Sequence, residues 1–275
     1  MQEKSNTTLM PSIIYGTAWK KEQTTRLVLD ALEAGFRGID TACQPKHYSE
    51  ALVGDAIVLS GIDRRDLYIQ TKFTPVEGHD PNTIPYDKDA SLFEQVLQSF
   101  EVSKQNLKSD YVDALILHSP LFPFSNLLEV WRAMEKIYET DGAKMLGISN
   151  CYDLSVLKRL YDEARIKPSI VQNRFYEQSD YDTELRQWCK EHHIAYESFW
   201  SLTANPHILN SDTIIKLAIK YRKTQPQIFF AYLISQGITP LSGTTSKEHM
   251  SEDLEANKIV LEREEIEQIS SLLRH

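Results

Sequence analysis

Four side chains in the first half of the sequence are of types that run acid–base chemistry together: Asp40, Tyr48, Lys72 and His118. A free tyrosine, with a pKa of about 10, is a weak acid at neutral pH. A neighbouring ammonium favours the phenolate and lowers that value. Lys72, near the end of the apolar stretch "YIQTKF", can supply the ammonium, and Asp40 would keep it charged and oriented. The Tyr48 phenol then donates a proton to a carbonyl oxygen as negative charge develops there. His118 positions that carbonyl or shares the proton transfer. None of the four is a hydride donor, so a reduction run by this set needs a cofactor. Each residue alone also has a structural reading: Asp40 as a loop cap, His118 as a satisfied buried histidine, Lys72 as a rim cation. The functional reading rests on all four meeting at one place.

The elements around them must bring that meeting about. Strand-like runs recur along the chain: "SIIYG", "RGIDTA", "DLYIQTKF", "YVDALILH", "AKMLGIS", "PSIVQNRF", "IAYESFW" and "ITPLSG". Each precedes a segment of helical periodicity, such as "TTRLVLDALEAG" or "SLFEQVLQSFEVSKQNL". Apolar residues along the full strand length fit parallel strands covered on both faces. Eight such units in 275 residues predict a (β/α)8 barrel, one domain over 1–275 with 1–10 as a flexible N-terminal segment. An open doubly wound sheet would carry a glycine-rich phosphate loop after its first strand. Here "GTAWKKEQ" stands in that place. A (β/α)8 barrel holds its active site at the C-terminal strand ends. The side chains expected there are Thr17, Trp19, Asp40, Tyr48, Lys72, His118, Ser149, Asn150, Gln172, Asn173, Arg174, Phe199, Trp200, Gly243, Thr244 and Thr245. The irregular stretch 74–89 is long enough to be functional rather than a mere connector.

Bulk properties exclude several classes. A net charge of −9 repels phosphate backbones, so nucleic acid is not an expected partner. No apolar run approaches the roughly 18 residues of a membrane span, and the polar start "MQEKSNTTLMPS" lacks the apolar core of a secretory signal. Cys43, Cys151 and Cys189 are too scattered for a disulfide framework or a zinc site. A metal-free cytoplasmic protein is expected, monomeric for want of any assembly signal.

The segments "GTAWK", "GFRGIDTA", "HYSEALVGDAI", "YIQTKF", "LILHSP", "LGISN", "VQNRF" and "GTTSKEH" resemble those of the aldo-keto reductase family, over essentially the whole chain. The resemblance implies a barrel that binds NADPH without a Rossmann motif and reduces a small-molecule aldehyde or ketone by hydride transfer. It implies that Asp40, Tyr48, Lys72 and His118 form the catalytic tetrad, with Tyr48 the proton donor. It matches Ser149, Asn150 and Gln172 to the nicotinamide carboxamide, and Phe199 to the ring face, where a tyrosine is usual. It matches Gly243 and Thr244 to the phosphate-binding turn, and His249, Glu252 and Asp253 to the adenosine end. Thr17 joins the cofactor set, and the helix opening near Ser246 can offer its N–H groups to phosphates.

Three departures stand out. "CQPKH" lengthens the spacing from Asp40 to Tyr48 and puts His47 beside the tyrosine. Gly243 and His249 occupy places where many NADPH-preferring members carry a lysine and an arginine, which leaves NADH open unless Lys247 or His249 compensates. Ser119 replaces a tryptophan found in several members. Trp19, Phe73, Phe122, Phe124 and Trp200 are the expected aromatic walls of a pocket for an apolar or aromatic carbonyl compound. Little sequence follows the last helix, so an open pocket and bulky substrates are expected. Two other readings stay open: a cofactor-binding regulatory subunit with little turnover, and a biosynthetic reductase of an imine or conjugated alkene. The intact set of four argues against the first, and the retained His118 against alkene reduction.

Overall fold

The computed structural model describes residues 10–274. Most of the expected flexible N-terminal segment therefore lies outside the described residues. Eight parallel strands close into a barrel in chain order, with β8 paired back to β1. The strands are β1 Ile14–Gly16, β2 Gly38–Asp40, β3 Tyr68–Phe73, β4 Val112–Leu117, β5 Ala143–Ser149, β6 Ile170–Arg174, β7 Ala195–Phe199 and β8 Ile238–Ser242. The surrounding helices begin with α1 Thr24–Ala34, α2 Glu50–Ser60, α3 Leu92–Leu107, α4 Phe124–Glu139, α5 Leu154–Glu163 and α6 Thr183–Glu191. They continue with α7 Pro206–Leu209, α8 Asp212–Tyr221, α9 Gln225–Ser235, α10 Lys247–Glu255 and α11 Arg263–Ser271. The sequence predicts all eight strands; the short α7 is not foreseen, and the 74–89 stretch holds a single 3-10 turn, Val76–Gly78.

Local chemistry sets the helix ends. Ser91 and Glu94 form a reciprocal capping box at the start of α3, and Thr224 with Gln227 does the same for α9. Gly35 ends α1 with φ +117°, a conformation a side chain would strain. Gly54 lets α2 lie directly against the end of α3, where an added Cβ would sit 1.9 Å from the Asn106 carbonyl oxygen.

Strand alternation sorts the core into two zones. Outward residues such as Tyr15, Ile69, Phe73, Leu115 and Val171 pack under the helices. Inward residues Ile14, Tyr68, Ala114, Ile116 and Ile170 plug the barrel floor. Above that plug the inward side chains turn polar: Asp40, Gln70, Lys72, Gln172 and Glu197, all buried. Register builds this layer, since Asp40 lies opposite Gln70, and Gln172 opposite Glu197.

Candidate active site

A cavity of about 1050 Å³ opens above the polar layer, at the C-terminal ends of the strands. Fifteen of the expected site residues line it: Trp19, Asp40, Tyr48, His118, Ser149, Asn150, Gln172, Arg174, Phe199, Trp200, Gly243, Thr244, His249, Glu252 and Asp253. Lys72 lies just beneath, buried, with Nζ 2.5 Å from Asp40 Oδ1 and 2.9 Å from the Thr41 carbonyl oxygen. That ammonium is 5.2 Å from the centre of the Tyr48 ring, and the Tyr48 and His118 rings meet edge-on at 6.0 Å. Three successive strand ends, β2 to β4, thus bring the four residues to one corner of the cavity.

Several expected residues fall elsewhere. Phe73 is not a pocket wall: it follows Lys72 directly, so it points outward and packs at 5.6 Å from Tyr86. Thr17 shares the outward face of Tyr15 and gives its hydroxyl to the Asp40 carbonyl oxygen at 2.8 Å. Phe122 stands out from the loop after β4, 68% exposed, and does not line the cavity. Phe124, on α4, stacks instead under the Arg159 guanidinium, 3.9 Å from its ring centre. Lys247 does not line the cavity; it pairs with Asp30 and Glu33 of α1.

The electrostatics depart from the simplest expectation for Tyr48. Burial raises its pKa, and the lowering by Lys72, although present, does not overcome it. The phenol therefore stays protonated at neutral pH. Burial works against the Lys72 ammonium, yet Asp40, Tyr48 and Glu197 outweigh it and hold the group above its ordinary value. Burial, with Lys72 nearby, pushes His118 down to about 3, so the imidazole is neutral. Its Nδ1 faces the Thr74 hydroxyl at 2.6 Å. Thr74 is two residues beyond Lys72 and so projects to the same side, a relation the sequence analysis did not use.

Glu197 is a second residue with no signal in the sequence. Gln70 and Gln172 each give Nε2 hydrogens to two carboxylates: to Asp40 Oδ1 at 2.9 and 3.0 Å, and to Glu197 Oε2 at 2.7 Å in both cases. Burial raises Glu197 to about 7. With its amino group committed downward, Gln172 presents its amide oxygen to the cavity. Lys20 is a third, on the loop after β1: its ammonium meets the Gly243 carbonyl, and burial lowers its pKa. At the same end Ser242 donates to Asp253 at 2.5 Å, and burial raises that carboxyl to about 6.

The cavity fits a dinucleotide cofactor. It runs from Ser149, Asn150 and Gln172 to the open turn at Gly243 and on to His249 and Asp253. An added Cβ on Gly243 would meet only Lys20 Nζ, at 3.9 Å, so this backbone is free to approach a ligand. Among the described residues no group of three histidines, cysteines or acids is placed to hold a metal, and no helix is long and apolar enough to cross a membrane.

A closed parallel barrel with this lysine, aspartate, tyrosine and histidine at its mouth is an oxidoreductase of the TIM-barrel type. The sequence matches the aldo/keto reductase family over residues 12–274, and the chain belongs to that family. It is 30% identical over 267 residues to methylglyoxal reductase DkgA of Yersinia pestis, covering 96% of this chain and 89% of the relative. Among solved structures, the aldo-keto reductase MGS-M4 from a deep-sea metagenome library superposes with a TM-score of 0.84 at 30% identity, over 98% of this chain and 93% of the other. A Bombyx mori aldo-keto reductase solved in complex with NADP gives 0.79 at 25% identity, over 95% and 89%.

Proposed function

We propose that this protein reduces the carbonyl of an aldehyde or ketone to an alcohol with a reduced nicotinamide cofactor, NADPH in the first place and NADH as the alternative. The observation that carries the reading is the buried Lys72–Asp40 pair at 2.5 Å, set beside Tyr48 at the cavity floor. The bound reduced nicotinamide would supply the hydride. The protein's own residues do the rest. Tyr48, kept neutral by burial, gives its phenolic proton to the carbonyl oxygen as charge builds there. Lys72 stabilises the phenolate left behind, and Asp40 holds the ammonium in place. The neutral His118 imidazole, with Thr74 donating to Nδ1, offers Nε2–H to the same oxygen. Ser149, Asn150 and the outward amide oxygen of Gln172 would hold the carboxamide, with Phe199 against the ring. Gly243, Thr244 and Lys20 would meet the phosphates, and His249, Glu252 and Asp253 the adenosine. All of these come from one chain, which is consistent with a monomer, and three buried free thiols suit the cytoplasm.

Cofactor oxidation by wild type and Tyr48→Phe, across aromatic and aliphatic carbonyl compounds, tests the reading. A fall of roughly 10²- to 10⁴-fold in kcat with cofactor affinity kept is expected. Equal turnover by the two proteins would remove Tyr48 from the chemistry.

A further inference from the structure

Arg174, in the wall of the cavity, has no carboxylate counter-ion among the described residues. It ends β6, two residues beyond Gln172, so the strand period puts both side chains on the inward face, with Arg174 nearer the mouth. Its guanidinium lies over the Trp200 ring, 4.3 Å from the centre, and 5.2 Å from that of Tyr176. Its Nε is shielded from solvent and has no hydrogen-bond partner. No ion pair joins it to a carboxylate among the described residues, whereas half-buried Arg64 is tied to Asp113 at 2.8 Å and half-buried Arg186 gives its Nε–H to the Tyr181 carbonyl oxygen at 2.7 Å. A shielded N–H left unpaired carries a desolvation cost that an anion accepting from it would remove. Flanking by two rings fixes the plane of its donors in advance, the arrangement that suits a carboxylate or phosphate.

The place of Arg174 indicates which anion. Gly243, proposed for the cofactor phosphates, follows β8, two strands away around the barrel. Arg174 instead stands directly above the amide proposed for the nicotinamide carboxamide, at the reactive end. Trp19 and Trp200 line that end, both largely exposed and available to a carbon skeleton. Lys46, on the loop after β2, lines the same cavity and adds positive charge. The whole chain carries −9, so an anionic substrate is repelled at long range and needs such local cations to dock.

We propose that Arg174 holds an anionic group of the substrate, so that the preferred substrates are aldehydes or ketones that also carry a carboxylate or a phosphate. This rests on the carbonyl-reductase reading and narrows it. The test compares 4-carboxybenzaldehyde with 4-nitrobenzaldehyde, matched in size but not in charge, on wild type, Arg174→Gln and Arg174→Lys; their difference in intrinsic reactivity cancels when the ratio is compared between proteins. Arg174→Gln should lower the carboxy-to-nitro ratio of kcat/KM roughly 10- to 100-fold, as loss of a charged hydrogen bond does. Arg174→Lys should restore part of that ratio. An unchanged ratio overturns the proposal, and so does a loss common to both substrates with a raised cofactor KM, which would give Arg174 to the dinucleotide. Binding of 4-carboxybenzyl alcohol, followed by tryptophan fluorescence, separates the two claims. Arg174-dependent binding without any turnover would sink the reductase reading alone. Turnover of neutral aldehydes with no such binding would sink this one alone.

Discussion

Replacing Lys72 with methionine keeps the shape of the side chain and removes its charge. The ammonium is 1% exposed and its partner carboxylate 3%, so the pair is fully desolvated. Breaking such a pair from one side costs about 3–5 kcal/mol, because the remaining charge is stranded. The structure sets a limit on that cost. The orphaned Asp40 carboxylate keeps its hydrogen bonds from Gln70 and Gln172, and it can take up a proton. For a carboxyl that titrates near 4 when unfolded, protonation at pH 7 costs about 4 kcal/mol, at roughly 1.4 kcal/mol per pH unit. At pH 5 the same cost is only about 1.4 kcal/mol. Urea unfolding of wild type and Lys72→Met should therefore differ by about 3–4 kcal/mol at pH 7 and by less than half of that at pH 5. The sign follows from linkage: in the variant the folded state binds the extra proton, so acid stabilises it relative to wild type. The double variant Asp40→Asn, Lys72→Met removes both charges and should regain most of the stability while staying inactive, since Tyr48 still lacks its cation. A single variant as stable as wild type, a gap that does not narrow in acid, or a double variant no better than the single would refute this account of the pair.

Three further outcomes are expected. Glu197, raised by burial to about 7 from 4.5, favours the folded state below pH 4.5, and that contribution is lost as pH rises to about 7. Glu197→Gln should abolish this loss, roughly 3 kcal/mol, which unfolding curves between pH 4.5 and 8 would reveal. His118, held down at about 3, should contribute no ionisation to a pH–rate profile between 5 and 8, and His118→Ala should lower kcat/KM without removing a pH inflection in that range. Gly243→Lys with His249→Arg should raise the NADPH-to-NADH ratio of kcat/KM at least tenfold, since the space beyond Gly243 is open to a side chain; an unchanged ratio would place the 2′-phosphate elsewhere.

Strand number, strand order and the four chemical residues were legible because each leaves a local trace. Apolar runs broken by turns mark the strands, and "IQTKF" or "LILHSP" carries its functional residue within a few positions of the strand end. Which way a side chain points is legible in the sequence too. Lys72 and Phe73 are neighbours on one strand and cannot both face the cavity; period-two alternation would have sent Phe73 to the helix side. The same rule separates Thr17 from Gly16. Lys20 was harder to see. Its contact with Gly243 spans 223 residues and exists only because β8 closes on β1. No local pattern in "GTAWKKEQ" says which of its two lysines turns inward.

Glu197 shows what sequence reading cannot reach without the register. "IAYESF" reads as an apolar strand with one acid, and an acid in a strand is most simply solvent-facing. In the barrel it lies under the cavity, facing Asp40 through two shared amides. That layer then holds two carboxyls against one ammonium. With Asp40 engaged by Lys72, the uncompensated charge falls on Glu197, and burial answers by keeping a proton there near neutrality. The arrangement has a consequence for Gln172. Its amino group has two acceptors below and none is needed above, so the amide is locked with its oxygen toward the cavity. A glutamine free to flip would present donor and acceptor in turn, and a carboxamide ligand would meet the wrong one part of the time. The buried acid that the proposed chemistry at Tyr48 does not require is thus the group that fixes the hydrogen-bonding sense of the neighbouring face, and it does so from a polar layer that it shares with Asp40 and Lys72.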